Sequence, residues 1–131
     1  MTKRWHISSP MTSPRSGHSA VVLKGRIYVV GGFDGEERLK SVECFTPGPV
    51  VTWHQVADME IPRSNFAMSV VEGKILVCGG YSDPSVIGRC EMYCPETNNW
   101  SVMPDLAVGR SALASVMVPQ APNIQALLKR K

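Results

Sequence analysis

The 131-residue chain has no long hydrophobic run, few aromatic residues, only three histidines and no large excess of charge. Its longest apolar stretches, at 20–23, 27–30 and 75–78, fall far short of the roughly 20 residues that a membrane-spanning helix requires. Basic residues open the chain but lead into no apolar segment, so no secretory signal is read and the expected compartment is the cytoplasm. His6, His18 and His54 stand apart, and Cys90 and Cys94 are spaced too widely for most zinc knuckles. No phosphate-binding glycine loop, Ser–His–Asp set or paired acidic site is present. These absences predict no enzyme, no cofactor and no metal. Of 14 basic residues against 11 acidic, Lys129, Arg130 and Lys131 supply the whole surplus. The body is therefore balanced, which argues against a nucleic-acid or membrane footprint.

What the chain does have is turn formers and repetition. Eleven glycines and ten prolines favour short elements over long helices. Trp5, Trp53 and Trp100 recur at intervals of 48 and 47 residues, Gly31-Gly32 returns as Gly79-Gly80, and Arg15-Ser16 returns at 63–64 and 110–111. An ungapped match of 5–47 onto 53–95 gives 14 identities in 43 positions, concentrated on Trp, Arg, Gly, Glu and Pro. Within each unit, apolar and β-branched runs separated by turn residues predict strands at 18–23, 26–30, 41–46 and 51–56. The second unit predicts them at 66–71, 74–78, 89–94 and 99–103, and a last fragment at 112–118 repeats only the first strand.

Four strands per period of about 48 residues is the signature of a propeller blade. Paired glycines after an apolar strand, Glu43 or Glu91 before a strand aromatic, and an outer-strand Trp together resemble the kelch repeat. The run from Gly25 to Gly35 followed by Leu39, Ser41, Val42 and Glu43 is similar to the kelch-like (BTB–kelch) adaptors. The expected fold class is all-β: a partial kelch β-propeller of two four-stranded blades plus one extra closing strand. The units are 5–52 and 53–99, with a partial repeat at 100–118 and a tail at 119–131. The resemblance implies a non-enzymatic protein–protein interaction module, the propeller part of a substrate adaptor for a cullin-3 ubiquitin ligase. An actin-binding kelch scaffold is the alternative.

The repeat also assigns roles. Arg15, Arg63 and Arg110 recur, so they are read as structural, bonding loop carbonyls or Glu43 and Glu91. The tryptophans are read as plates wedged between blades. Cys44, Cys78, Cys90 and Cys94 fall where the other unit has strand residues, Val30 for Cys78 and Val42 for Cys90, and are read as packing groups. Partner contact is expected on the loops at one end. Carried over from the resembling adaptors, the partner-binding residues are Phe33, Tyr81, Arg38, Ser16, Ser64 and Ser111, with a solvated loop as the competing reading. The expected partner is a protein or peptide substrate, and cullin-3 is reached only through a full-length adaptor. Two blades leave a flank bare on each side, so the chain is expected to be a fragment or short isoform, or to gain blades from partners. Asn123 opens a candidate short helix in the tail.

Overall fold

The computed structural model describes residues 3–118. The tail at 119–131, with its candidate helix, lies outside the described residues. Ten strands make two four-stranded antiparallel sheets and one small hairpin. The first sheet runs β1 (Ser19–Leu23), β2 (Arg26–Val30), β3 (Val42–Thr46) and β4 (Thr52–Val56) in simple meander order. The second contains β5 (Ala67–Val71), β6 (Lys74–Cys78), β9 (Cys90–Cys94) and β10 (Asn99–Met103). Between β6 and β9 the loop forms its own two-residue strands, β7 (Tyr81–Ser82) and β8 (Ser85–Val86). The eight strands predicted within the two complete units agree to within a residue at each end. The repeat period and the sheets are offset, because a cut at 52/53 falls at the start of β4, whose Trp53 completes the first sheet.

Local chemistry sets the hairpins. Lys24-Gly25 and Glu72-Gly73 both hold positive φ at two successive residues, the backbone of a turn whose twist matches its flanking strands. Gly31 is forced by the neighbouring blade and Gly32 by its own: a Cβ on Gly31 would meet the Arg63 carbonyl oxygen at 2.6 Å, and one on Gly32 the Ser16 oxygen at 2.8 Å. Gly79 and Gly80 repeat this against Arg110 and Ser64. With the glycines bare, the Gly32 amide donates to the Arg63 carbonyl at 2.9 Å and the Gly80 amide to that of Arg110 at 2.7 Å. A parallel chain of bonds runs from Asn65 N to Gly17 O and from Ala112 N to Asn65 O. Gly17, Asn65 and Ala112 are equivalent in the repeat and all have left-handed φ.

The core lies between the sheets. Tyr28, Val30, Val42 and Cys44 of the first blade pack on Phe66, Ile75, Val77 and Tyr93 of the second. The rings of Tyr28 and Tyr93 are 5.9 Å apart across the interface, and Trp100 continues the stack 5.3 Å from Tyr93. Trp100 Nε1 donates to the Ala57 carbonyl at 2.8 Å, tying the outer strand of one blade to the chain leaving the other. Trp53 makes the same bond to Ser9 at 3.0 Å. Trp5 is fully exposed, since no sheet stands against it among the described residues.

Two of the three repeated arginines, Arg15 and Arg63, are crossbraces with buried side chains. Arg63 is 0% exposed and its Nη1 donates to the Gly79 and Arg89 carbonyls at 2.8 and 2.6 Å. Its Nη2 meets Glu91 Oε2 at 2.7 Å, while Glu91 Oε1 accepts the Glu60 amide. Arg15 binds Gly31 O, Ser41 O and Ser41 Oγ likewise, with Glu43 at a looser 3.6 Å. Arg110 is exposed and has no equivalent brace among the described residues.

One expectation is corrected. Residues 112–118 form no strand and no ladder. In both complete units the innermost strand pairs with the strand that follows it, β1 with β2 and β5 with β6. Among the described residues no second run follows this segment to serve as its hairpin partner. The segment is held against the second blade by Ala112 N and by a hydroxyl contact between Ser69 and Ser115.

Candidate functional site

At one end of the two sheets, the loops after the paired glycines come together. Phe33 is fixed by a double backbone bridge to Ser16, at 2.8 and 2.9 Å, and Tyr81 by an equivalent bridge to Ser64, at 2.8 and 3.0 Å. The intervening loop is shaped by Asp34, whose Oδ1 accepts the amides of Glu37 and Glu36. Those two bonds hold the Asp34 carboxyl below its ordinary value. The loop turns back so that Arg38 bridges to Phe33, as Val86 pairs with Tyr81 in the second blade.

Arg38 is the centre of the group. Its guanidinium carbon lies 4.8 Å from the Phe33 ring centroid and 4.5 Å from that of Tyr81, so one cation sits against two aromatic faces. Nη1 donates to both oxygens of Asp83, at 3.1 and 2.8 Å, and Nε reaches Ser64 Oγ at 3.4 Å. Beside it lies a shallow depression of about 270 Å³ lined by Glu37, Arg38, Leu39, Lys40, Ser41 and Pro62. Arg38 is about a quarter exposed and Asp83 more than half, so the pair remains open to competitors.

Of the six residues expected to meet a partner, the structure assembles Phe33, Arg38, Ser64 and Tyr81 into this one group. Ser16 sits beside it, exposed, with its hydroxyl on the Phe33 carbonyl at 3.2 Å. Ser64 is buried and lies beneath Arg38. Ser111 is exposed, and its hydroxyl makes no hydrogen bond among the described residues. Asp83 is not among the residues expected from the sequence. The available signal was an acid in the second loop where the first loop carries an arginine, two loops that blade stacking must bring side by side.

Among the described residues, no cluster of three or more His, Cys, Asp or Glu side chains could hold a metal. No helix among them is long and apolar enough to cross a membrane.

Two sheets of four antiparallel strands, stacked face to face, braced by a repeated Arg–Glu pair and terminated by paired glycines, define consecutive blades of a kelch-type propeller. The chain belongs to the kelch-repeat family: residues 1–120 match the KLHDC2/KLHL20/DRC7 Kelch-repeats domain. It is 48% identical to Kelch-like protein 24 of Rattus norvegicus over 112 residues, 86% of this chain and 19% of the relative, and equally so to that of Mus musculus. A 30-residue stretch is 53% identical to Kelch-like protein 6 of Homo sapiens. The chain thus spans about a fifth of the Kelch-like protein 24 sequences it matches. Among solved structures, that of YjhT aligns over 82% of this chain and 33% of its own with a TM-score of 0.73 at 17% identity. A fungal alcohol oxidase in complex with copper aligns over 73% of this chain and 23% of its own with a TM-score of 0.64 at 22% identity. Both likenesses are of fold.

Proposed function

We propose that the chain is a protein-interaction module that binds a partner polypeptide at the loop end built from Phe33, Arg38, Tyr81 and Asp83, with Ser16 beside it, Ser64 beneath Arg38 and Ser111 as a further contact. The observation that carries this reading is the guanidinium held between two aromatic rings yet still exposed. Rigid sheets fix its position, so a partner need not spend entropy ordering it. A partner carboxylate or carbonyl can take the place of Asp83 while the cation–aromatic contacts persist. Within a longer protein of this family, such binding would serve to select substrates for a cullin-3 ubiquitin ligase, in the cytoplasm.

The test is a random peptide library selected on the full chain, with binders measured against Arg38→Ala and Tyr81→Ala. The reading expects at least about a tenfold loss of affinity in each, the size of one charge-assisted contact, and no loss in Lys74→Ala on the opposite end of a hairpin. Binders indifferent to both loop variants would overturn it. In cosedimentation with filamentous actin the chain is expected to stay in the supernatant, and sedimentation would favour the cytoskeletal alternative.

A further inference from the structure

The second sheet carries an unusual cross-strand pair. Cys78 of β6 stands directly opposite Cys90 of β9. The next amide along, Gly79 N, donates to the carbonyl of the residue before Cys90, Arg89 O, at 3.0 Å. That arrangement marks Cys78 and Cys90 as a pair that does not exchange backbone hydrogen bonds with each other. In antiparallel sheets such pairs bring their Cα atoms to about 4.5 Å and point both side chains to the same face. A disulfide spans Cα separations of about 4.4–6.8 Å. The backbone register therefore already satisfies the distance requirement, with both cysteines free.

The same two positions in the first sheet are Val30 and Val42, paired in the same register, fully buried and packed into the core between blades. In the second sheet Val77 and Ile75 face that core, so Cys78, one residue out of phase, faces away from the first blade. There no further blade covers it among the described residues. Cys78 is partly exposed while Cys90 is almost fully buried, its thiol on the Gly88 carbonyl at 3.6 Å. One thiol is reachable and its neighbour is waiting behind it.

We infer that Cys78 and Cys90 form a dithiol–disulfide modification site on the open flank of the second blade, oxidised by exchange with a small-molecule disulfide. The Cys78 thiolate attacks one sulfur of glutathione disulfide, forming a mixed disulfide and releasing one glutathione. The Cys90 thiolate then attacks the Cys78 sulfur and releases the second. Two protein thiols lose their protons and two electrons pass to the oxidant, which leaves as two reduced glutathiones. Burial, and then the Cys90 thiol beside it, push the Cys78 thiol up to about 12, so the first attack is slow at neutral pH. A sheet docked on this flank would seal the pair, which makes its oxidation a report of a bare face.

The test is incubation of the folded full-length chain with glutathione disulfide, followed by alkylation and a non-reducing peptide map. The expected result is a Cys78–Cys90 link with Cys44 alkylated, and a glutathione adduct at partly exposed Cys94 showing that the oxidant acted. In Cys90→Val the reaction should stop at a glutathione adduct on Cys78, and in Cys78→Val Cys90 should stay reduced. Valine occupies both positions in the first blade, so these variants keep the packing. Two results would each overturn the inference. One is a stable glutathione adduct on Cys78 in the unaltered chain beside a free Cys90. The other is full alkylation of both cysteines while Cys94 is modified.

Discussion

Replacing Arg63 with alanine tests the brace that joins the loops of the second blade. The substitution removes two bonds to carbonyls, from Gly79 and Arg89, and one to Glu91. Glu91 is 2% exposed and would keep only the Glu60 amide. Breaking one partner out of a buried ion pair costs about 3–5 kcal/mol, because the remaining charge stays buried without compensation. Domains of this size are stable by only about 5–15 kcal/mol, so the variant should lose roughly a fifth or more of its stability. At about 3 °C per kcal/mol, the midpoint should fall by about 10–15 °C. Arg110 occupies the same repeat position but is exposed and unbraced, so Arg110→Ala should change stability by less than about 0.5 kcal/mol. Adding Glu91→Ala to Arg63→Ala should recover part of the loss, since the orphaned charge goes too. Thermal unfolding followed by tryptophan fluorescence reads all four proteins. Arg63→Ala and Arg110→Ala with equal midpoints would refute the reasoning.

Three further outcomes follow from the same contacts. Trp100→Ala should cost about 2–4 kcal/mol, through lost stacking on Tyr93 and the bond to Ala57, whereas Trp5→Ala should be neutral in the same denaturation assay. Ala112→Gly should stabilise by up to about 1 kcal/mol in thermal unfolding, because Ala112 holds a φ of 52° that disfavours a β-carbon. Stability should decline in alkali. Burial raises the Cys78 thiol from 9.0 and the Tyr93 hydroxyl from 10.0, each to about 12. A folded value above the unfolded one means the contribution is complete below pH 9 and is lost as pH climbs toward 12. Unfolding midpoints across that range, with tyrosinate absorbance, check it.

Much of this architecture could be read from the chain because the repeat lets one unit interpret the other. The paired glycines, the tryptophans and the Arg–Glu braces occur at matched positions: the first glycine of each pair is held bare by the chain entering the next repeat, while the braces close loops within their own blade. The Arg38–Asp83 pair could not be read that way, since it occurs once and joins unlike positions of neighbouring loops. The missing strand at 112–118 shows the converse limit. Its residues repeat the inner-strand pattern, but a strand exists only where a neighbour supplies the other half of its ladder. The two-residue strands of the second loop were hidden too, because their pairing follows from the tight turn between Ser82 and Ser85 and not from any alternation of apolar residues. Likewise Gly17, Asn65 and Ala112 share a left-handed backbone that their differing side chains obscure.

The most direct test of the account is residue-resolved hydrogen exchange of the two amides that cross between blades, Gly32 to Arg63 and Asn65 to Gly17. If the sheets stand by leaning on each other, these amides should exchange only through global unfolding, with the same free energy as the amides of β2 and β6. Exchange at unstructured-peptide rates at Gly32 and Asn65, while those strands stay protected, would show two independent sheets and contradict it.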